Sequence, residues 1–234
     1  MEMMPYQVNE GLGRAVPSRD PQPTFGPFTA ARWQDGLPVL GGPRLTLREL
    51  GREDAPALCA KLTTEEVTRF ISPPPSSVAG FEKFIGWAHE QRAAGRYACF
   101  AVVPEGETRP VGMFQVRVQD ADQGIAEWGF VLGSAYWGTG MFLVAARRVV
   151  DFAFDQMGMR RLEARACVAN GRGTGAIRKL GAVREKVLRG SFERCGERLD
   201  QALWTLARHD WWIAKTALAN LAGLAKTVWK GTVH

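Results

Sequence analysis

The chain is poor in the residues that hold metals or make cross-links. Its 234 residues include 4 cysteines and 3 histidines. Cys59, Cys99, Cys167 and Cys195 lie far apart with no C-x-x-C spacing, and His89, His209 and His234 share no ligand spacing. That pattern argues against a zinc site or other metal centre and against a disulfide framework, and it fits reduced thiols in the cytoplasm. No stretch approaches about 18 uncharged apolar residues, so no membrane span is expected. The opening residues lack a basic start followed by an apolar run, so no secretory signal is expected either. Basic residues are scattered rather than clustered, which argues against nucleic-acid binding. The 30 Lys and Arg outnumber the 24 Asp and Glu, giving a formal charge of +6. A surplus of that size favours anionic ligands without naming one.

What is present is enough apolar material for a core: 46% hydrophobic residues against 23% charged. One α/β domain with extensions is the economical reading. Residues 1–43 hold Pro5, Pro17, Pro21, Pro23, Pro27 and Pro38 with many glycines, which predicts an extended leader or strap. A compact domain over 44–208 follows. Arg44–Leu50 alternates as a strand, and a helix is expected over Arg52–Lys61. The run Ser72–Ser77 breaks regular structure before an amphipathic helix over Val78–Ala94. Tyr97–Val103, Val111–Val118 and Ala126–Leu132 then read as an antiparallel meander.

After that meander the period changes from two to 3.6. Gly133–Gly140 is a loop, Met141–Gln156 an apolar helix closed by Gly158, and Arg161–Val168 another strand. This strand–loop–helix–strand run is a βαβ unit, whose two strands should be parallel. A short helix at Ala176–Leu180 and two closing strands, Val183–Arg189 and Leu199–Leu206, complete the domain. The loop tip Trp137-Gly138-Thr139-Gly140 opens directly into the helix. Glycines there let backbone N–H groups turn inward, beside the unpaired donors and partial positive charge of a helix start. Such a place suits a pyrophosphate. The longer G-x-G-x-x-G pattern is not met, because Val144 and Ala145 follow Met141, Phe142 and Leu143. A dinucleotide such as NAD is therefore disfavoured.

Five features in order, RLTLRE, AEWGF, YWGTG, NGRG with IRKLGA, and LDQALWTL, make the segment Arg44–Asp210 resemble the GNAT superfamily. Within it, the resemblance is to the RimJ/RimL-type ribosomal-protein N-terminal acetyltransferases. The resemblance implies an α/β, mixed and mostly antiparallel sheet of about seven strands. It would be splayed between Ala126–Leu132 and Arg161–Val168, with helices on both faces. It implies acetyl-CoA as acyl donor, its pantetheine arm in the splay and its pyrophosphate on the Gly138–Met141 amides, Thr139 included. Trp137 would line the arm, although core packing is the commoner use of such a residue. The acceptor would be a primary amine, with a protein or peptide N-terminus favoured and a small-molecule amine left open. This sequence departs from the family pattern at three places. Ala135 stands where Arg or Gln usually begins the glycine loop. Gly173 stands at a serine place after Asn170. Ile177 stands where many relatives carry the tyrosine that protonates the departing thiolate. A catalytically silent acyl-CoA-binding protein is the rival reading that these departures motivate.

An amine must be neutral to attack a thioester, and Glu127, set in an otherwise apolar strand, is the candidate base. The same alternation equally allows an ion-paired or solvent-facing Glu127. The oxyanion formed on attack would be held by a strand amide from Phe130, Val131 or Leu132. Asn170 and Arg172, just after the fifth strand of the domain, are candidates for the cofactor side, though a loop arginine is more often merely solvated. The tail over 209–234 has an amphipathic helical pattern. It suits docking on its own domain or on a sister subunit of a homodimer better than a membrane surface.

Overall fold

The computed structural model describes residues 32–217. Eight strands form one sheet in the order β1-β2-β3-β4-β5-β6-β8-β7. In chain order these are β1 (Leu40–Gly42), β2 (Leu45–Glu49), β3 (Tyr97–Pro104), β4 (Gly112–Asp120), β5 (Ile125–Leu132), β6 (Arg161–Cys167), β7 (Val183–Arg194) and β8 (Glu197–Ala207). The helices are α1 (Ala55–Leu62), α2 (Glu65–Thr68), α3 (Val78–Ala93), α4 (Met141–Asp155) and α5 (Gly171–Arg178), and residues 208–217 are helical as well. All neighbouring strands run antiparallel except β5 and β6, the pair joined through α4. The mixed sheet expected from the sequence is therefore present, with one strand more than the seven anticipated.

The extra strand is β1, inside the segment that the prolines mark as a leader. It has three residues, two of them glycine, and so too little pattern to read. Its pairing with β2 supplies what propensity does not. Just before it, Trp33 is buried and meets the Phe152 ring of α4 edge-on at 6.4 Å. The remainder of the leader and the end of the tail lie outside the described residues.

Alternation along the central strands sends their side chains to two cores. Phe100 of β3, Phe114 and Val116 of β4, Ala126 and Trp128 of β5 and Leu162 and Ala164 of β6 face α4. On the other face Tyr97, Cys99 and Ala101 of β3, Met113 of β4 and Val131 of β5 meet α1 and α3. Helix α3 begins at Ser77, whose Oγ accepts the Gly80 N–H at 3.1 Å, an ordinary serine N-cap.

One buried charge pair ties β2 to the turn before α1. Asp54, 1% exposed, accepts both Arg48 Nη1 at 2.7 Å and Nη2 at 2.8 Å, and also the Gly51 N–H at 2.8 Å. Arg48 keeps water on one side and two carbonyl partners, Glu49 and Thr108. The two partners are thus unequal. Arg48→Leu strands a buried carboxylate and should cost about 3 kcal/mol, whereas Asp54→Ala leaves a cation that can rehydrate and should cost less. Urea melts of the two variants check that order.

Candidate active site

Strands β5 and β6 pair only from Ile125↔Arg161 through Glu127↔Glu163, and then part. Beyond that point β6 pairs with β8 on its far side as far as Cys167, while β5 stays with β4 as far as Leu132. A wedge therefore opens in the middle of the sheet, with Glu127 and Glu163 at its vertex. Among the described residues the ladder between β5 and β6 ends there, so that from Trp128 onward β5 lines the gap rather than pairing with β6. The wedge belongs to a cleft of about 1930 Å³ whose walls include Trp87, Tyr97, Trp128, Phe130 and Ile177.

At the open end of β5 stands the glycine loop. A 3-10 turn over Ser134–Tyr136 brings the chain to Trp137, whose indole N–H donates to the Leu132 carbonyl at 2.9 Å. Gly138 and Gly140 then take φ of 74° and 85°, left-handed values that reverse the chain into α4. A Cβ at Gly138 would meet nothing within 4 Å, and one at Gly140 only Arg44 Nη1, at 3.8 Å. The outer face of the loop is open. Gly140 is the N-cap of α4 and brings no side chain to its first amides. Thr139 Oγ1 donates to the Tyr136 carbonyl at 2.8 Å, which holds the turn, and receives the Met141 N–H at 3.4 Å. Apart from the long Met141 contact, no side chain occupies the amides at the start of this 15-residue helix among the described residues; such a place suits an anion, so these residues fit the pyrophosphate of acetyl-CoA.

The other site candidates fall into three groups. Trp137 and Arg172 meet: the guanidinium carbon lies 4.1 Å from the indole centroid, which fixes the start of α5 against the glycine loop. Asn170 is the N-cap of α5, its Oδ1 accepting the Gly173 N–H at 2.8 Å, so its amide group is engaged in holding that helix. Val131 and Leu132 are buried, so only their backbone is available to the wedge, while Phe130 is half-buried on the cleft wall and packs on Phe142 at 4.5 Å. The departures from the family pattern also acquire surroundings. Ile177 is buried at the cleft wall, and a Cβ at Gly173 would lie 2.6 Å from Asn170 Nδ2, so a serine there would displace the cap.

Glu127 is half-buried and ion-paired. Its Oε1 lies 3.2 Å from Arg165 Nη1, and its Oε2 accepts Gln119 Nε2 at 2.8 Å. Arg117, its register partner on β4, adds a second positive charge nearby. Burial nevertheless wins and pushes the carboxyl above its ordinary value, against the opposing pull of Arg165, Arg117 and the two hydrogen bonds. The residues that sequence reasoning did not single out are Arg117, Arg165 and Gln119 around this carboxylate, and Arg44 beside the glycine loop. Strand alternation puts Arg117 and Glu127 on like faces of their own strands, but only the register makes them neighbours.

Comparison with known proteins agrees with this geometry. Residues 44–183 match the family model described as an acetyltransferase (GNAT) domain. An uncharacterized N-acetyltransferase p20 of Bacillus licheniformis is 25% identical over 169 residues, which span 72% of this chain and 95% of that protein. Among solved structures, Mycobacterium smegmatis RimJ in complex with CoA-disulfide is similar with TM-score 0.65 at 19% identity, over 71% of this chain and 83% of that one. A ribosomal-protein-S5-alanine acetyltransferase from Vibrio fischeri is similar with TM-score 0.67 at 18% identity, over 74% of this chain and 98% of that one. This chain belongs to the GNAT acetyltransferase family and is an acyl-CoA-dependent N-acetyltransferase.

Proposed function

We propose that the enzyme acetylates the α-amine of a protein or peptide N-terminus by direct attack on the thioester of acetyl-CoA. The observation that carries this reading is the wedge between β5 and β6, with a carboxylate at its vertex and the open glycine loop at its rim. Acetyl-CoA supplies an activated acyl group. The amides of Gly138, Thr139, Gly140 and Met141 hold its pyrophosphate, while Trp137 and Arg172 brace the loop. Glu127 takes the proton of the arriving amine, directly or through a water, and a β5 amide at Phe130–Leu132 stabilises the oxygen on which charge builds. The structural neighbours named for RimJ and for ribosomal-protein-S5-alanine acetylation make an N-terminus the favoured acceptor. A small-molecule amine is the alternative.

A second reading, binding without turnover, draws on Ile177 and Gly173, which leave no hydroxyl where relatives place the thiolate's acid. Release of free thiol from acetyl-CoA decides among the three. Peptides with a free N-terminus should release thiol and the same peptides with a blocked N-terminus should not. Release with small amines alone favours the alternative, and a protein that binds acetyl-CoA but spares it with every amine is the silent one.

A further inference from the structure

The cleft is cationic. Its walls carry eight lysine and arginine side chains against four glutamates. Some of these neutralise one another: Arg161 pairs with Glu163 at 2.9 Å and with Glu185, and Arg165 pairs with Glu127. Arg117 makes no direct ion pair among the described residues: it is half-buried, lies in one register row with Tyr97, Glu127 and Glu163, and feels Glu127 only as a nearby charge that Arg165 already binds. Among the described residues, the side chain of Arg96, next to Tyr97 on the cleft wall, bonds the neutral Gln91, and that of Arg194 the Thr68 hydroxyl. Among the described residues the cleft thus has carboxylates at its vertex and, along its walls, guanidinium groups that make no direct ion pair.

Acetyl-CoA does not supply the missing anion at Arg117. Arg117 is level with Glu127, and the phosphate-binding loop begins beyond Leu132, so about 17 Å of strand separates the two ends. Tyr97, Gln115 and Arg117 also alternate onto the α3 face of the sheet, whereas the glycine loop leads into α4 on the opposite face. A polycation entering here would meet a field of its own sign. An amine carrying a carboxylate would satisfy both ends, its nitrogen toward Glu127 and its carboxylate toward Arg117.

We propose that the acceptor is an acidic amine, an N-terminus followed closely by Asp or Glu, and that Arg117 is the residue that selects it. This rests on the acetyl-transfer reading above and sharpens its acceptor. The positive surroundings serve the reaction as well, since guanidinium groups near an ammonium favour its neutral, attacking form.

The test compares peptides that begin with alanine and carry two Asp, two Asn or two Lys next, with free aspartate and glutamate as the small-molecule arm. Thiol release gives kcat/KM, and quenching of tryptophan fluorescence in the CoA-loaded protein gives peptide affinity without turnover. The Asp peptide should exceed the Asn peptide by about tenfold, with the Lys peptide weakest and the gap narrowing at high salt. Arg117→Gln should reduce that gap to about threefold or less while calorimetry shows an unchanged affinity for acetyl-CoA. Should free aspartate or glutamate outrun the peptides, the anion site stands and the N-terminal acceptor falls. Asp peptides that bind but are never acetylated leave the anion site standing and remove the transfer reading. Turnover of Asn or Lys peptides equal to or above that of Asp peptides, no binding of any acidic amine, or a preference untouched by Arg117→Gln overturns the proposal.

Discussion

Replacing both loop glycines, Gly138→Asp and Gly140→Asp, should weaken acetyl-CoA binding by at least about 100-fold, roughly 2.7 kcal/mol, in a protein that still folds. Aspartate is the informative choice because it separates binding from stability. Both positions have positive φ, which aspartate tolerates better than most residues. A Cβ at either meets no atom closer than 3.8 Å, so packing does not resist the change. A carboxylate at the N-cap of α4 is favourable for the helix itself, because it complements the dipole and accepts the first amides. Those are the amides assigned to the pyrophosphate, so the added side chain competes for them and repels the ligand. Gly140→Asn adds the same shape without the charge and should lose much less. Calorimetry with acetyl-CoA, beside thermal melts, reads both quantities. Unchanged affinity in the double Asp variant would mean that the phosphates are held elsewhere.

The glycine loop was the most legible part of the chain, and the reason is local. Over 125–167 the apolar period changes from two to 3.6 and back, and Gly158, at φ of 73°, marks the end of α4 where the sequence suggests. Elsewhere tertiary effects overrule local signals. The short helix expected to hold Ala176–Leu180 starts at Gly171 and ends at Arg178; it runs through three glycines that disfavour helix because the Asn170 cap holds its first turn. The strand expected to stop at Arg189 continues to Arg194. Gly190 and Ser191 interrupt its alternation, but the ladder with β8 resumes at Phe192↔Leu199 after an irregularity. The charge pattern of the cleft was not legible at all. Arg117, Glu127 and Glu163 come from three strands, two of which are joined by a helix. Which cations surround the carboxylate is decided by register, and register is a property of the sheet rather than of any one segment.

Glu127→Gln should lower kcat by about 10²- to 10⁴-fold while leaving acetyl-CoA affinity nearly unchanged, the pattern of a lost general base. The pH dependence makes this more than a knockout. As the proposed base Glu127 acts deprotonated, so the rate should rise with pH through its pKa, and burial moves that limb upward from the ordinary glutamate value. Of the groups around it, Arg165, Arg117 and Gln119 hold the limb down, and Glu163 stands opposite in register. Arg165→Gln, which keeps a hydrogen-bond donor but removes the charge, should therefore move the limb to higher pH, and a merely structural arginine would not. The sign for stability is the opposite of that for activity. A carboxyl whose pKa is raised in the folded state contributes stability that is fully present below its unfolded value and is lost as pH rises through the folded one. At neutral pH the ionised Glu127 thus costs the fold, and Glu127→Gln, still able to accept from Arg165, should melt no lower than the wild type there. Lost turnover with undiminished stability would mark Glu127 as a residue kept for chemistry at the expense of the fold. Retained turnover, with the acid limb still in place, would assign the proton to another group.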